Sequence, residues 1–214
     1  MPWRNAFTIY FTNAEDLMPR IAALMPLNLA TILTLARIML IPVLVVLFYA
    51  PWSWSHIAAS MVFLAAALTD WLDGWVARRY NQESGFGAFL DPVADKLMVA
   101  VTLILLVQAD PKPWIAIMAA VIIGREISIS ALREWMAELG QRKRLRVGGL
   151  GKIKTIVQMT ALTMLLWRDS LFTIPIYDLG LVLLVIAAVL TLWSMGQYLH
   201  AAWQTLSESA VEGK

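Results

Sequence analysis

Residues 63–107, FLAAALTDWLDGWVARRYNQESGFGAFLDPVADKLMVAVTLILLV, decide how the chain folds. Two apolar runs flank a polar break through Asn81 and Gly85, and each run carries two aspartates. Asp70, Asp73 and Ala77 recur at i, i+3 and i+7, so they share one face of a helix, with Gly74 beside it. Gly87, Asp91 and Asp95 recur at i, i+4 and i+8, one face of the following helix. The tight turn between them makes the two helices antiparallel neighbours. Two carboxylate pairs are then expected to meet at the same depth.

Outward from this stretch the chain is apolar almost throughout. Of 214 residues, 60% are apolar, 15% are charged and none is cysteine. Soluble domains run about 45–50% apolar and about 25% charged, so this is a membrane chain. A disordered chain, a collagen-like fibre and a disulfide-stapled secreted module are excluded. Without cysteine there is no thiolate nucleophile and no Cys-ligated zinc, and His56 and His200 are too far apart in sequence for a His-rich metal site. A formal charge of +2 is too small for nucleic-acid binding.

About 20 apolar residues cross the hydrocarbon core. Six segments qualify: Thr31–Ala50, His56–Arg79, Ala88–Val107, Trp114–Trp135, Leu150–Trp167 and Ile176–Leu199. The expected fold is an all-α integral membrane protein, a bundle of six transmembrane helices. Its organisation reads as an N-terminal interfacial segment over 1–27, a six-helix domain over 28–207 and a tail over 208–214. Leu17, Ile21, Leu24 and Met25 share a helix face in the lead-in, although Pro19 interrupts it and a loosely ordered lead-in competes. Glu15 and Asp16 and the lack of a basic start argue against a signal peptide.

Lys and Arg concentrate in two connections, at Arg78 and Arg79 and at Arg142, Lys143, Arg144 and Arg146. These are expected to face the cytoplasm, as are both termini. Trp52, Trp54, Trp114 and Trp167 fall at the expected interfaces. The aspartates then lie at the cytoplasmic interface.

Each Asp, Lys or Arg at a helix centre costs about 2.5–3.5 kcal/mol on insertion scales, so such groups need compensation. Four carboxylates in register repel one another, and a divalent cation relieves this. All-oxygen ligation suits Mg²⁺ or Mn²⁺. Ion pairing with Arg78, Lys96 or Arg125 is the competing explanation. A cation-coupled transporter is another, disfavoured because no acidic chain continues across the membrane. Arg125 and Arg133 lie eight apart on one face of the fourth helix, within a largely apolar segment, and Glu126 and Glu134 each follow an arginine. Arg37 lies inside the first span, and Lys152 and Lys154 open the fifth. Cations beside a carboxylate cluster suit a substrate with several phosphates.

The string Asp70-x-x-Asp73-Gly74-x-x-Ala77-Arg78-x₈-Gly87-x₃-Asp91-x₃-Asp95 resembles the signature of the CDP-alcohol phosphatidyltransferases at every fixed position. Asn28-Leu29-Ala30-Thr31 with Arg37, Gly124-Arg125-Glu126, Leu132-Arg133 and Gly151-Lys152-Ile153-Lys154-Thr155 are similar to the bacterial branch whose acceptor is sn-glycerol 3-phosphate. The resemblance implies transfer of a phosphatidyl group from CDP-diacylglycerol to that acceptor, with CMP released. It implies two divalent metals per site on Asp70, Asp73, Asp91 and Asp95, with Asp95 also the general base. Asp70, Gly74, Ala77, Arg78 and Gly87 would receive the CDP donor. Thr31, Arg37, Arg125, Arg133, Lys152 and Lys154 would bind the acceptor phosphate. A homodimer in a bacterial cytoplasmic (inner) membrane, in contact with membrane lipids, is also implied. A sibling using inositol phosphate is the nearest alternative.

Overall fold

The computed structural model describes residues 29–80, 85–139, 150–170 and 173–212. Every regular element among them is an α-helix: α1 Leu29–Tyr49, α2 Ser55–Tyr80, α3 Gly85–Ala109, α4 Pro113–Glu138, α5 Leu150–Trp167 and α6 Ile176–Glu212. The expected interfacial segment and the basic run at 142–146 lie outside the described residues. So do the side chains of Asp73, Gly74, Ala77, Arg78 and Lys152.

All six expected segments are helical, with edges displaced by a few residues except at the last. There α6 runs to Glu212, well past Leu199, because Gln204–Glu212 is polar yet helix-compatible, and apolarity marks only the part that would enter lipid. Three helices are long and apolar enough to cross a membrane unaided: Thr31–Tyr49, Pro113–Glu138 and Ile176–Gln204. The apolar parts of α2 and α5 are shorter, Ser55–Asp70 and Ile153–Trp167. Asp91, Asp95 and Lys96 interrupt α3.

The packing inverts the usual soluble pattern. Arg37, Thr31, Thr34, Ser60, Thr102, Lys154 and Ser194 are buried, while Met39, Val46, Ile104, Ile117, Val189 and Trp193 are exposed. Such an exterior suits lipid, in which an outward Val or Ile costs nothing. Several buried hydroxyls return their donors to the helix backbone, including Thr102 Oγ1 to Met98 O at 2.8 Å and Ser194 Oγ to Thr191 O at 2.9 Å. Leu44, Phe63, Leu103, Ile122, Leu162 and Leu184 belong to the main apolar core.

Among the described helices, α5 and α6 share the most extensive contact. At Gly180 an added Cβ would lie 3.0 Å from Leu165 Cγ and 3.1 Å from Met164 Cβ, so the missing side chain lets the backbones approach. α2 joins α5 through Ser60 Oγ, which donates to Thr163 O at 2.8 Å.

α1 packs broadly on both α2 and α3, whereas α2 and α3 touch each other little. Among the described residues, succession in the chain therefore does not bring α2 and α3 into broad contact. α1 fills the angle between them, and this placement governs the polar site.

Candidate active site at one end of the bundle

The site begins on α1. Thr31, Thr34 and Arg37 recur at three-residue intervals and are all buried. The Arg37 side chain is only 1% exposed, and its Nη1 lies 3.1 Å from Asp70 Oδ1, 3.2 Å from Asp91 Oδ1 and 2.7 Å from Asp95 Oδ1. One guanidinium nitrogen thus gathers a carboxylate from α2 and two from α3. The aspartates are each roughly a third exposed, so the cluster is buried on the α1 side and open on the other.

Three of the four sequence-predicted aspartates therefore come together, but around an arginine expected elsewhere. The ion pairs described for all three aspartates are with Arg37. Lys96 Nζ donates to Ser130 Oγ at 2.6 Å, tying α3 to α4 at this depth. Pro92 follows Asp91 inside α3 and has no N–H to give the carbonyl four residues back, which loosens the helix beside the cluster.

The donors are hard carboxylate oxygens, which suit Mg²⁺ or Mn²⁺. Among the described residues no group of three acidic, His or Cys side chains is itself spaced to hold a metal. The point shared by Asp70, Asp91 and Asp95 is a cation's position, taken by Arg37 Nη1. The chemistry of the set fits a divalent ion, and its fourth expected member, Asp73, has no described side chain.

A second polar group lies between α4, α5 and α6. Arg125 Nη2 donates to Ser194 Oγ at 2.8 Å, and its Nη1 lies 3.4 Å from Glu126 Oε1. Arg125 Nε is buried with no hydrogen-bond partner, a donor left for a ligand. Lys154, buried on α5, pairs with the same Glu126 carboxylate. Arg133 Nη2 donates to the Tyr198 hydroxyl at 3.3 Å. The guanidinium carbons of Arg125 and Arg133 lie 5.5 and 5.4 Å from the Tyr198 ring centroid, so one ring serves both by cation–π contact. Three cations against one carboxylate leave this group net positive, as a phosphate site requires.

Lys154 thus joins this polar group through Glu126, whereas Lys152 has no described side chain. Arg37 and Thr31 sit on the aspartate side, not with Arg125 and Arg133. Ser194 and Tyr198 were missed by sequence reasoning. Their i, i+4 spacing puts them on one face of α6, but nothing local shows that this face meets α4. A cavity of about 470 Å³ opens between α4 and α6, walled by Ile129, Leu132, Trp135, Met195 and Leu199.

Comparison with known proteins bears on both groups. A family model described as CDP-alcohol phosphatidyltransferase matches residues 27–204. A protein of Escherichia coli (strain K12) named CDP-diacylglycerol–glycerol-3-phosphate 3-phosphatidyltransferase is 53% identical over 178 residues, 83% of this chain and 96% of its own length. Proteins of the same name from Shigella flexneri serotype 5b (strain 8401) and Salmonella choleraesuis (strain SC-B67) are 53% and 52% identical over the same extent. The matched region contains α1 to α5 and most of α6, and so both polar groups.

Proposed function

Because this chain belongs to the CDP-alcohol phosphatidyltransferase family, we propose that it transfers the phosphatidyl group of CDP-diacylglycerol to sn-glycerol 3-phosphate, giving phosphatidylglycerol phosphate and CMP. The observation that carries this reading is the gathering of Asp70, Asp91 and Asp95 at one end of the bundle, with Arg125, Arg133 and Lys154 on adjoining helices at that end. A diphosphate donor and a phosphorylated acceptor need both groups. The apolar cavity between α4 and α6 suits an acyl chain of the lipid.

In the reaction an acceptor hydroxyl oxygen bonds to the phosphorus that bears diacylglycerol, as the P–O bond to CMP breaks. The hydroxyl proton passes to the Asp95 carboxylate, and CMP departs as the anion. A single in-line displacement with no covalent enzyme intermediate fits a chain without cysteine. Arg125, Arg133 and Lys154 hold the acceptor phosphate, with Lys152 opening the same helix. The Tyr198 ring engages both arginines by cation–π contact. Gly74, Ala77 and Gly87 leave room for the cytidine, and Arg78 meets the donor's nucleotide phosphate. Arg37 neutralises part of the carboxylate charge. Asp70, Asp73, Asp91 and Asp95 would hold Mg²⁺ or Mn²⁺, two per site, which would screen the diphosphate and the leaving phosphate.

The helices would cross a bacterial inner membrane six times, with both termini and the site on the cytoplasmic side, where the soluble acceptor is available. A homodimer formed through membrane helices accords with the family. Release of CMP from CDP-diacylglycerol, measured with purified protein, Mg²⁺ and a panel of acceptors, tests the reading. Release with glycerol 3-phosphate alone is expected. Release with inositol phosphate instead would replace the acceptor, and no release with any acceptor would remove the activity.

A further inference from the structure

At the end of the bundle away from the aspartates lies a second polar recess. The fourteen residues from Asp95 to Ala109 put it about 21 Å along α3 from the carboxylate cluster, at 1.5 Å per residue. Its volume is about 430 Å³, within the range of about 300–1,000 Å³ that small-molecule sites occupy. Asp110, Arg168, Ser170, Tyr177 and Asp178 line it.

The charges of this recess are unequally satisfied. The Tyr177 hydroxyl donates to Asp110 Oδ2 at 2.8 Å, and Lys112 Nζ lies 3.0 Å from the same oxygen. Asp110 is therefore spoken for. The Arg168 guanidinium acts on the Asp110 and Tyr177 charges through space, but its Nε is buried with no hydrogen-bond partner, and its guanidinium carbon rests 5.9 Å from the Phe48 ring centroid. Its backbone is also costly. Arg168 directly follows α5 at φ 62°, the only positive φ outside glycine among the described residues. Glycine is the usual residue for that left-handed cap, so an arginine there is held against local preference, and its side chain gives a reason. Asp178, exposed in the first turn of α6, supplies a carboxylate across the recess.

The recess thus offers an unbonded guanidinium donor from Arg168 and the Asp178 carboxylate. A purely anionic ligand would satisfy Arg168 and be repelled by Asp178. A ligand bearing a phosphodiester and a primary ammonium satisfies both. The surroundings fix its source. Trp52 and Trp54 stack at 5.1 Å between α1 and α2 at this same end, and Trp114 opens α4 there, the aromatic composition of a membrane interface. From the recess, Leu179, Val182 and Ile186 run along one exposed face of α6, a path for acyl chains.

We propose that this recess binds the headgroup of a zwitterionic aminophospholipid, its phosphodiester on the Arg168 guanidinium and its ammonium on Asp178. It is a structural lipid site, separate from the proposed transfer site and independent of that chemistry.

The test is binding by native mass spectrometry and thermal melting of the full chain in detergent. Phosphatidylethanolamine, phosphatidylcholine, phosphatidylglycerol and soluble phosphoethanolamine are the probes. Wild type is expected to prefer phosphatidylethanolamine at least tenfold over phosphatidylglycerol and phosphatidylcholine. Soluble phosphoethanolamine should compete only at far higher concentration, which separates a lipid site from a free-phosphoester site. Arg168→Gly relieves the backbone, so it should melt no lower than wild type without lipid, yet bind phosphatidylethanolamine at least tenfold more weakly. Asp178→Asn, on an exposed side chain, should fold normally and bind phosphatidylethanolamine and phosphatidylglycerol alike. Equal wild-type binding of those two lipids would overturn the proposal. So would undiminished binding in Arg168→Gly, undiminished preference in Asp178→Asn, or equal potency of soluble phosphoethanolamine.

Discussion

Removing the Arg37 side chain would leave three carboxylates facing one another at one end of the bundle. Breaking a buried ion pair from one side costs about 3–5 kcal/mol, and partial exposure of the aspartates lowers this to about 2 kcal/mol. Arg37→Leu is expected to melt below wild type in chelator and to recover more than wild type when Mg²⁺ is added. An equal response of the two proteins to Mg²⁺ would show that Arg37 and a metal do not share the carboxylates. Asp95→Asn makes a separate claim, since Asp95 is the proposed proton acceptor. It should abolish CMP release while retaining CDP-diacylglycerol binding; residual turnover near wild type would remove it from that task. The aspartates themselves were legible in the sequence, because a carboxylate in an apolar helix has few explanations. Their counter-ion was not. Arg78, Lys96 and Arg125 are nearer to one or another aspartate in sequence, but only the seating of α1 brings Arg37 to all three.

Between elements, the broad α5–α6 contact includes a close approach at Gly180. Its missing Cβ allows α5 and α6 to meet at Leu165 and Met164. Overpacking a close-fitted core costs about 1–3 kcal/mol. Gly180→Val should therefore lower the melting temperature by several degrees, with Gly180→Ala less harmful, and equal melting of all three would show that the helices can part freely. At the same end, the Tyr177 hydroxyl and then Lys112 hold the Asp110 carboxyl below its ordinary value of 3.8. A carboxyl depressed in the folded state stabilises above its unfolded value, and that contribution is lost as pH falls through the folded one. Wild type should lose stability below about pH 4 more steeply than Asp110→Asn, in melts taken across pH. Superimposable acid limbs would mean that this bond does not couple the α3–α4 connection to α6. Helix existence was readable from apolar length alone. Which helices meet was not, and for that reason Ser194 and Tyr198, ordinary residues within an apolar run, gave no sign of serving Arg125.

Across the whole molecule, the absence of cysteine makes topology measurable without background. Single cysteines at Ser53, Lys112 and Thr173 lie in connections at one end, and one at Glu138 lies at the other. With six crossings, an impermeant maleimide should label the first three on intact cells and Glu138→Cys only after lysis. Mixed labelling at one end would break the six-crossing arrangement.

The position of Arg37 on the first helix also has a consequence in time. Chains emerge N-terminus first, so α1 reaches the membrane before Asp70, Asp91 or Asp95 has left the ribosome. The arginine bears its own insertion cost early, and each aspartate then arrives where a positive charge already waits. Assembly of the acidic cluster would then not wait on the proposed metal at the moment of synthesis. The nascent chain carries its own provisional counter-ion.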